Sequence, residues 1–161
     1  MVNSTINTSL DNLTPDELAN RCAQKMYESD WAAQALEMTI IDVREGYAKL
    51  SMVVRKDMSN GHGICHGGMM FTLADTAFAY SCNSYNKVTV AAGCNIEFIA
   101  PGKLGDTLVA EAKKVSLAGR SGIYDVTISN SAGDPIAYFR GKSRQIKGEI
   151  ISTEATSSSD Q

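Results

Sequence analysis

A glycine-rich turn that leads into a helix with one acidic residue is the part of this sequence best suited to chemistry. Gly67 and Gly68 lie at the predicted start of the helix, and Asp75 is the only charged side chain between Gly67 and Asn86. Unpaired N–H groups at a helix start can stabilise a developing oxyanion. A partly buried carboxylate can act as a base or nucleophile, because burial raises its pKa. Together these groups indicate acyl-transfer chemistry.

The same residues also have structural interpretations, and the pattern leaves both kinds open. A Gly-Gly pair before a helix often forms only a turn, and a buried Asp can be satisfied by an Arg from another strand. Phe71 and Phe78 could line an aromatic pocket, although any buried helix requires such side chains.

The loop ahead of this helix contains both histidines and one of the four cysteines. His62, Cys65 and His66 could supply three zinc ligands, but no second cluster completes the set. The side chains of adjacent residues such as Cys65 and His66 seldom meet, which disfavours a Cys–His nucleophile. We therefore expect no metal site. The absence of C-x-x-C spacing favours a reduced, cytosolic setting.

Length and composition exclude several classes of protein. The 161 residues suit one domain, and the net charge of −3 argues against a general nucleic-acid binder. The sequence contains no apolar stretch long enough to span a bilayer, and residues 1–13 lack the apolar core of a secretory signal. We predict a cytoplasmic protein with one domain over residues 14–150 and disordered segments at residues 1–13 and 151–161.

Helix and strand signals predict the elements that position the candidate residues. Thr14, Pro15 and Glu17 predict the start of a short N-terminal helical leader, and another helical turn is expected from Asp30 to Leu36. Alternating patterns predict two strands before the central helix and four after it, at residues 39–44, 47–54, 88–99, 107–117, 123–129 and 136–146. This order predicts an α+β hotdog fold, in which an antiparallel sheet of about six strands wraps around one long helix.

Seven short motifs keep a fixed order and spacing over roughly residues 22–150. They are Asn60-Gly61-His62, Cys65-His66-Gly67-Gly68, Leu73 to Tyr80, Pro101-Gly102, Gly105 to Leu108, Tyr124 to Val126 and Phe139 to Ser143. This ordered set resembles the hotdog acyl-CoA thioesterases of phenylacetic acid degradation, which act on phenylacetyl-CoA or hydroxyphenylacetyl-CoA. The resemblance implies hydrolysis of acyl-CoA thioesters. It implies no cofactor, because coenzyme A is part of the substrate.

The resemblance also implies roles for individual residues. Asp75 would be the catalytic carboxylate, and Gly67 would donate its N–H to the thioester oxygen. Asn60 and His66 would line the reacting centre. In this family the helix start and the carboxylate of one site come from different subunits, so we expect a homodimer at least and a homotetramer from two dimers.

The phosphates of coenzyme A require cations near the mouth of a pocket. Arg140 and Lys142 lie on one face of the last predicted strand, and Arg120 and Ser121 lie in a glycine-flanked turn. Each of these cations also has the simpler interpretation of a solvated surface charge. The substrate-binding candidates are Gly68, Phe71, Phe78, Arg120, Ser121, Arg140 and Lys142, with Arg144 and Lys103 as further cations.

Two other function classes remain open. A non-catalytic acyl-CoA-binding hotdog protein would lack the carboxylate or the glycines, and both are present here. A hotdog enoyl-CoA hydratase needs an Asp/His pair that moves protons at a carbon acid. His66 and Asp75 provide these residue types, but they are not expected to touch within one subunit.

Overall fold

Six antiparallel strands form one sheet in the structure, a computed structural model that describes residues 10–152. The strands are β1 Thr39–Arg44, β2 Tyr47–Val53, β3 Thr89–Phe98, β4 Thr107–Ala118, β5 Ser121–Ser129 and β6 Pro135–Gln145. They follow the order β1-β2-β4-β5-β6-β3, so β1 and β3 are the edge strands. All six predicted strands are confirmed, with ends that differ from the prediction by at most two residues.

Three α-helices accompany this sheet within residues 10–152, namely α1 Pro15–Tyr27, α2 Trp31–Ala35 and α3 Gly67–Cys82. The predicted capping box at the start of α1 is present: the Thr14 hydroxyl accepts from the Glu17 N–H, and the Glu17 carboxylate accepts from the Thr14 N–H. Asp30 caps α2 by accepting the N–H of Ala33 at 3.0 Å. None of these helices is long and apolar enough to cross a bilayer.

Helix α3 packs against the inner face of the sheet, which confirms the hotdog fold. Leu73, Ala77 and Tyr80 are buried on it, as expected for a helix that is apolar on every side. Phe78 inserts between Tyr124 of β5 and Phe139 of β6, with ring centroids 5.7 and 5.8 Å away. The helix that carries Asp75 is therefore fixed along its length by packing.

The ends of the described chain extend slightly beyond the predicted domain. Leu10–Asn12 forms a 3₁₀ turn. Ile151 is held by Asn86, whose Nδ2 donates to the Ile151 carbonyl at 3.0 Å and whose Oδ1 accepts the Ile151 N–H at 2.8 Å. Residues 1–9 and 153–161 lie outside the described residues, so the disorder expected there stays a prediction.

Candidate active site

The loop before α3 is tied to the rest of the fold by main-chain hydrogen bonds. The Cys65 N–H donates to the Gly102 carbonyl at 2.8 Å, and the His66 N–H donates to the Met58 carbonyl at 2.8 Å. These bonds connect the loop on one side to the segment after β2 and on the other to the turn before β4. The start of α3 therefore has a defined position relative to the sheet.

Asn60 closes this loop with its side chain. Its Oδ1 accepts the N–H of His62 at 2.9 Å and the N–H of Ile64 at 3.4 Å, and Gly63 between them has a φ of 72°. A left-handed conformation of this kind favours glycine. The predicted site residue Asn60 thus shapes the loop through its oxygen, while its Nδ2 has no acceptor within residues 10–152.

His66 is the N-cap of α3. Its Nδ1 accepts the Gly68 N–H at 2.9 Å, which leaves Nε2 to carry the ring proton of the neutral imidazole. Of the two glycine N–H groups predicted as oxyanion donors, that of Gly68 is consequently occupied. The Gly67 N–H has no acceptor in the described part of the chain, so it is the donor available at this helix start.

Phe98 forms a wall beside this donor, and the sequence analysis did not identify it. A Cβ atom placed on Gly67 would lie 3.0 Å from Cζ of Phe98, so the ring packs directly on the glycine. The Phe98 residue is 49% exposed. It lies at the end of an edge strand, where no motif distinguishes a functional aromatic residue from an ordinary one.

Asp75 lies two turns into α3 and is half-buried. Burial raises the pKa of its carboxyl above the usual range, and the negative charge of Asp30 raises that pKa further. Its Oδ1 lies 4.0 Å from Sγ of Cys94 on β3. Within residues 10–152 no Lys or Arg forms an ion pair with Asp75, so the structural interpretation that required an Arg partner has no support there.

Asp30 is the second acidic group near this helix, and the sequence identified it only as a helix start. The Tyr80 hydroxyl donates to Asp30 Oδ2 at 3.1 Å, which holds the carboxylate against α3. Burial, followed by the charge of Asp30, raises the pKa of Tyr80 far above its usual range. This hydroxyl therefore stays protonated and remains a donor.

A model of the thioesterase superfamily matches residues 62–137, the segment that contains this helix start and Asp75. The acyl-coenzyme A thioesterase PaaI of Escherichia coli (strain K12) is 48% identical over 128 residues, which cover 80% of this chain and 91% of that protein. The chain belongs to the thioesterase superfamily.

Solved structures give the same assignment. The structure of the E. coli PaaI protein from the phenylacetic acid degradation operon superposes with a TM-score of 0.83 at 46% identity, covering 84% of this chain and 99% of that one. A hypothetical thioesterase protein from Streptococcus pneumoniae TIGR4, solved with coenzyme A, has a TM-score of 0.66 at 25% identity, covering 70% and 90%. The superfamily fold is therefore shared over most of the chain.

Within this thioesterase fold, the two phenylalanines predicted to contact substrate lie in different environments. Phe71 is partly buried and packs edge-on against Phe139 at 5.4 Å. Phe78 is 1% exposed and lies in the core. The structure thus places Phe71 at the border of the core and Phe78 inside it, away from any surface of the single chain.

The predicted phosphate-binding cations also differ in their surroundings. Arg140 is ion-paired with Asp125, and Arg144 Nη1 donates to the Ser121 hydroxyl at 3.1 Å. Lys142 lies between them on the outer face of β6, is exposed, and has no ion-pair partner within residues 10–152. A surface cavity of about 300 Å³ is lined by Ala92, Gly93, Cys94, Asn95, Arg140 and Lys142.

Arg120 lies in the turn between β4 and β5 and lines a separate cavity of about 240 Å³ near the end of α3. Its side chain has no ion-pair partner in the described residues. The structure therefore does not bring Arg120 into either of the two cavities that Lys142 lines. Among residues 10–152 no three His, Cys, Asp or Glu side chains are grouped to hold a metal ion.

Proposed function

We propose that this chain hydrolyses acyl-CoA thioesters, and that the acyl part is an aryl-acetyl group such as phenylacetyl or hydroxyphenylacetyl. The observation that carries the proposal is Asp75, a half-buried carboxylate whose pKa is raised and which forms no ion pair with a Lys or Arg among residues 10–152. Such a group is more basic than a solvated Asp. The relatives support the substrate class, because the E. coli protein is named an acyl-coenzyme A thioesterase and the streptococcal structure contains coenzyme A.

In the proposed reaction the Gly67 N–H stabilises the oxygen of the thioester carbonyl as it gains negative charge. Asp75 either removes a proton from the attacking water or attacks the carbonyl carbon itself. The carbon–sulfur bond then breaks, and the sulfur leaves with a proton as coenzyme A. If Asp75 attacks directly, water subsequently hydrolyses the acyl–Asp anhydride to the free acid.

One chain alone does not complete this site. Gly67 and Asp75 are eight residues apart on one helix, which separates them by about 12 Å at the 1.5 Å rise of an α-helix. A single carbonyl cannot contact both. We propose a homodimer in which the Gly67 of one copy faces the Asp75 of the other, and β3, an edge strand beside Asp75, offers unpaired groups for that association. Two such dimers would form the homotetramer.

The hydratase alternative has less support. It requires an Asp/His pair that moves protons, whereas His66 at the N-cap of α3 and Asp75 two turns into the helix lie too far apart to form that pair within one chain. We propose that the reaction needs no metal or other cofactor, that it takes place in the cytoplasm, and that nucleic acid and membrane are not partners.

A hydrolysis screen tests this function. Phenylacetyl-, hydroxyphenylacetyl-, benzoyl- and straight-chain CoA esters are supplied to the purified chain, and free thiol is followed with a chromogenic disulfide. We expect the aryl-acetyl esters to give the highest kcat/KM and Asp75→Asn to lose roughly 10²- to 10⁴-fold of kcat on all of them. Hydration of an enoyl-CoA without thiol release would overturn the proposal, as would thiol release that Asp75→Asn leaves unchanged.

A further inference from the structure

Strand β3 contains a bulge next to Asp75. The pairing with β6 shifts register between Ala91 and Gly93, after which Cys94 lies opposite Gly141. The extra residue matters because side chains alternate between the two faces of a strand. With regular pairing beyond Ala91, Gly93 would lie opposite Gly141, and Cys94 would lie opposite Arg140 on the outer face.

The bulge therefore turns Cys94 towards α3. Its Sγ lies 4.0 Å from Oδ1 of Asp75, at the long end of the range for a sulfur hydrogen bond. Among residues 10–152, Cys94 is the side chain within hydrogen-bond distance of the Asp75 carboxylate. Gly141, opposite Cys94, has no side chain, and the Phe78 ring packs directly on it.

We propose that Cys94 is a positioning residue for Asp75: its thiol donates to Oδ1 and so directs Oδ2 towards the reacting water or carbonyl. This inference rests on the proposed function, in which Asp75 is the catalytic carboxylate. A thiol suits this task because it is a weak donor. A weak donor restrains the carboxylate and leaves it the basicity that burial confers. A strong or charged donor would instead lower that basicity.

The titratable groups around Asp75 determine how loss of the Cys94 thiol would change the pKa of the Asp75 carboxyl. Cys94 faces it from β3, Asp30 from the start of α2 and Cys82 from the end of α3. Burial, followed by the charge of Asp75, raises the pKa of the Cys94 thiol, so the thiol keeps its proton at neutral pH. Burial raises the pKa of Cys82 to about 12. Cys94 is thus the thiol donor in contact with Asp75. Its removal should disfavour the ionised form of Asp75 and so raise the pKa of that carboxyl.

The test compares Cys94→Ala, which removes the donor, with Cys94→Ser, which keeps a donor of similar shape. The pH profile of kcat/KM is measured for both on a CoA ester. We expect the midpoint of the acidic limb of this profile to rise by roughly 0.5 to 1 pH unit in Cys94→Ala, because the carboxylate loses one hydrogen bond. We expect Cys94→Ser to recover at least half of this shift. Cys22→Ala, at a buried thiol that contacts Asn86, is the matched control and should leave the limb unchanged.

A ¹³C NMR titration of the Asp75 carboxyl in the same variants gives a second readout that does not depend on turnover. An unchanged Asp75 titration in Cys94→Ala, or equal shifts in the Ala and Ser variants, would overturn the inference. Failure of the proposed function looks different, since Asp75→Asn would then hydrolyse CoA esters like the wild type while the NMR titration still reports the thiol contact.

Discussion

Arg140 binds both carboxylate oxygens of Asp125 across the β5–β6 pair, with Nε to Oδ1 at 2.6 Å and Nη2 to Oδ2 at 2.7 Å. The two residues are direct partners in the strand register. This two-point contact fixes the plane of the guanidinium and pairs its charge with a carboxylate. Lys142, two residues further along the same face, is therefore the better candidate for a phosphate of coenzyme A.

We expect Lys142→Gln to raise KM for a CoA ester by roughly 2- to 5-fold, the range of an exposed ion pair of about 0.5–1 kcal/mol. The effect should shrink as salt rises, because exposed charges are screened. It should be absent with a pantetheine ester, which lacks the nucleotide phosphates. Lys113→Gln, at an exposed lysine of β4 that pairs with Glu111, is the matched control.

Arg140→Gln and Arg120→Gln complete this series. A larger rise in KM for Arg140→Gln than for Lys142→Gln would contradict the assignment, since it would mean that the Asp125 pair opens to admit the phosphate. A larger rise for Arg120→Gln would place the nucleotide near the 240 Å³ cavity that Arg120 lines.

Gly67 offers a direct test of the oxyanion donor. It is the first residue of α3, where proline is well tolerated, and the preceding residue His66 has φ −62° and ψ 134°, which suits a position before proline. Gly67→Pro removes the N–H, whereas Gly67→Ala keeps it and adds the same Cβ near Phe98. We expect kcat to fall roughly 10²- to 10³-fold in Gly67→Pro and far less in Gly67→Ala. Similar losses in both variants would point to the Phe98 contact instead.

Asp75→Asn keeps the shape of the side chain and removes the base. We expect kcat to fall roughly 10²- to 10⁴-fold with little change in KM. Steady-state kinetics measure both constants, and circular dichroism verifies that the variant is folded. Near wild-type turnover by a folded Asp75→Asn would rule out the mechanism.

The same substitution should stabilise the fold at neutral pH. Because burial raises the folded-state pKa of Asp75, its ionised form is disfavoured by folding, and stability falls as pH rises through that pKa. We therefore expect Asp75→Asn to have a higher Tm than the wild type at pH 7, and the difference to vanish at acidic pH. Thermal melts at several pH values measure it.

Asp125→Asn is the control of opposite sign. Arg140 lowers the pKa of Asp125, so this carboxylate contributes stability above its unfolded-state pKa and loses it as pH falls. The variant should accordingly lower Tm at pH 7. A decrease for both variants at pH 7 would indicate that Asp75 is stabilised by a partner rather than strained by burial.

The proposed site, shared between two chains, predicts how mixtures of variants behave. Gly67→Pro and Asp75→Asn chains are each expected to retain at most about 1% of wild-type turnover, but a hybrid dimer would contain one intact site. Random pairing at a 1:1 ratio makes half of the dimers hybrids, so co-refolding should restore about a quarter of wild-type activity. No recovery in mixtures that mass spectrometry shows to contain hybrids would place Gly67 and Asp75 in separate functions.

The fold could be predicted closely because its signals are local: apolar and polar residues alternate along the strands, and the residues of α3 are almost all uncharged. The sequence also predicted Asp75 and Gly67 as site residues, since one charge in an apolar helix and a glycine at its start are visible without coordinates. Cys94 could not be predicted in the same way, because its face depends on a bulge. Nor could the Arg140–Asp125 pair, since it requires the register of two strands. For Phe78, periodicity alone leaves open whether the ring lies in the core or faces a ligand, and the structure places it in the core.

Because of the bulge in β3, the face on which each side chain of this strand lies depends on the number of residues in the strand more than on their identity. Deleting one residue from the segment 91–93 would either slide the strand along β6 or straighten it. Straightening would turn Cys94 and Ile96 to solvent and bring Asn95 and Glu97 against the helix. Over evolutionary time such a strand can accept substitutions one at a time, whereas the loss or gain of a single codon would exchange its two faces in one step.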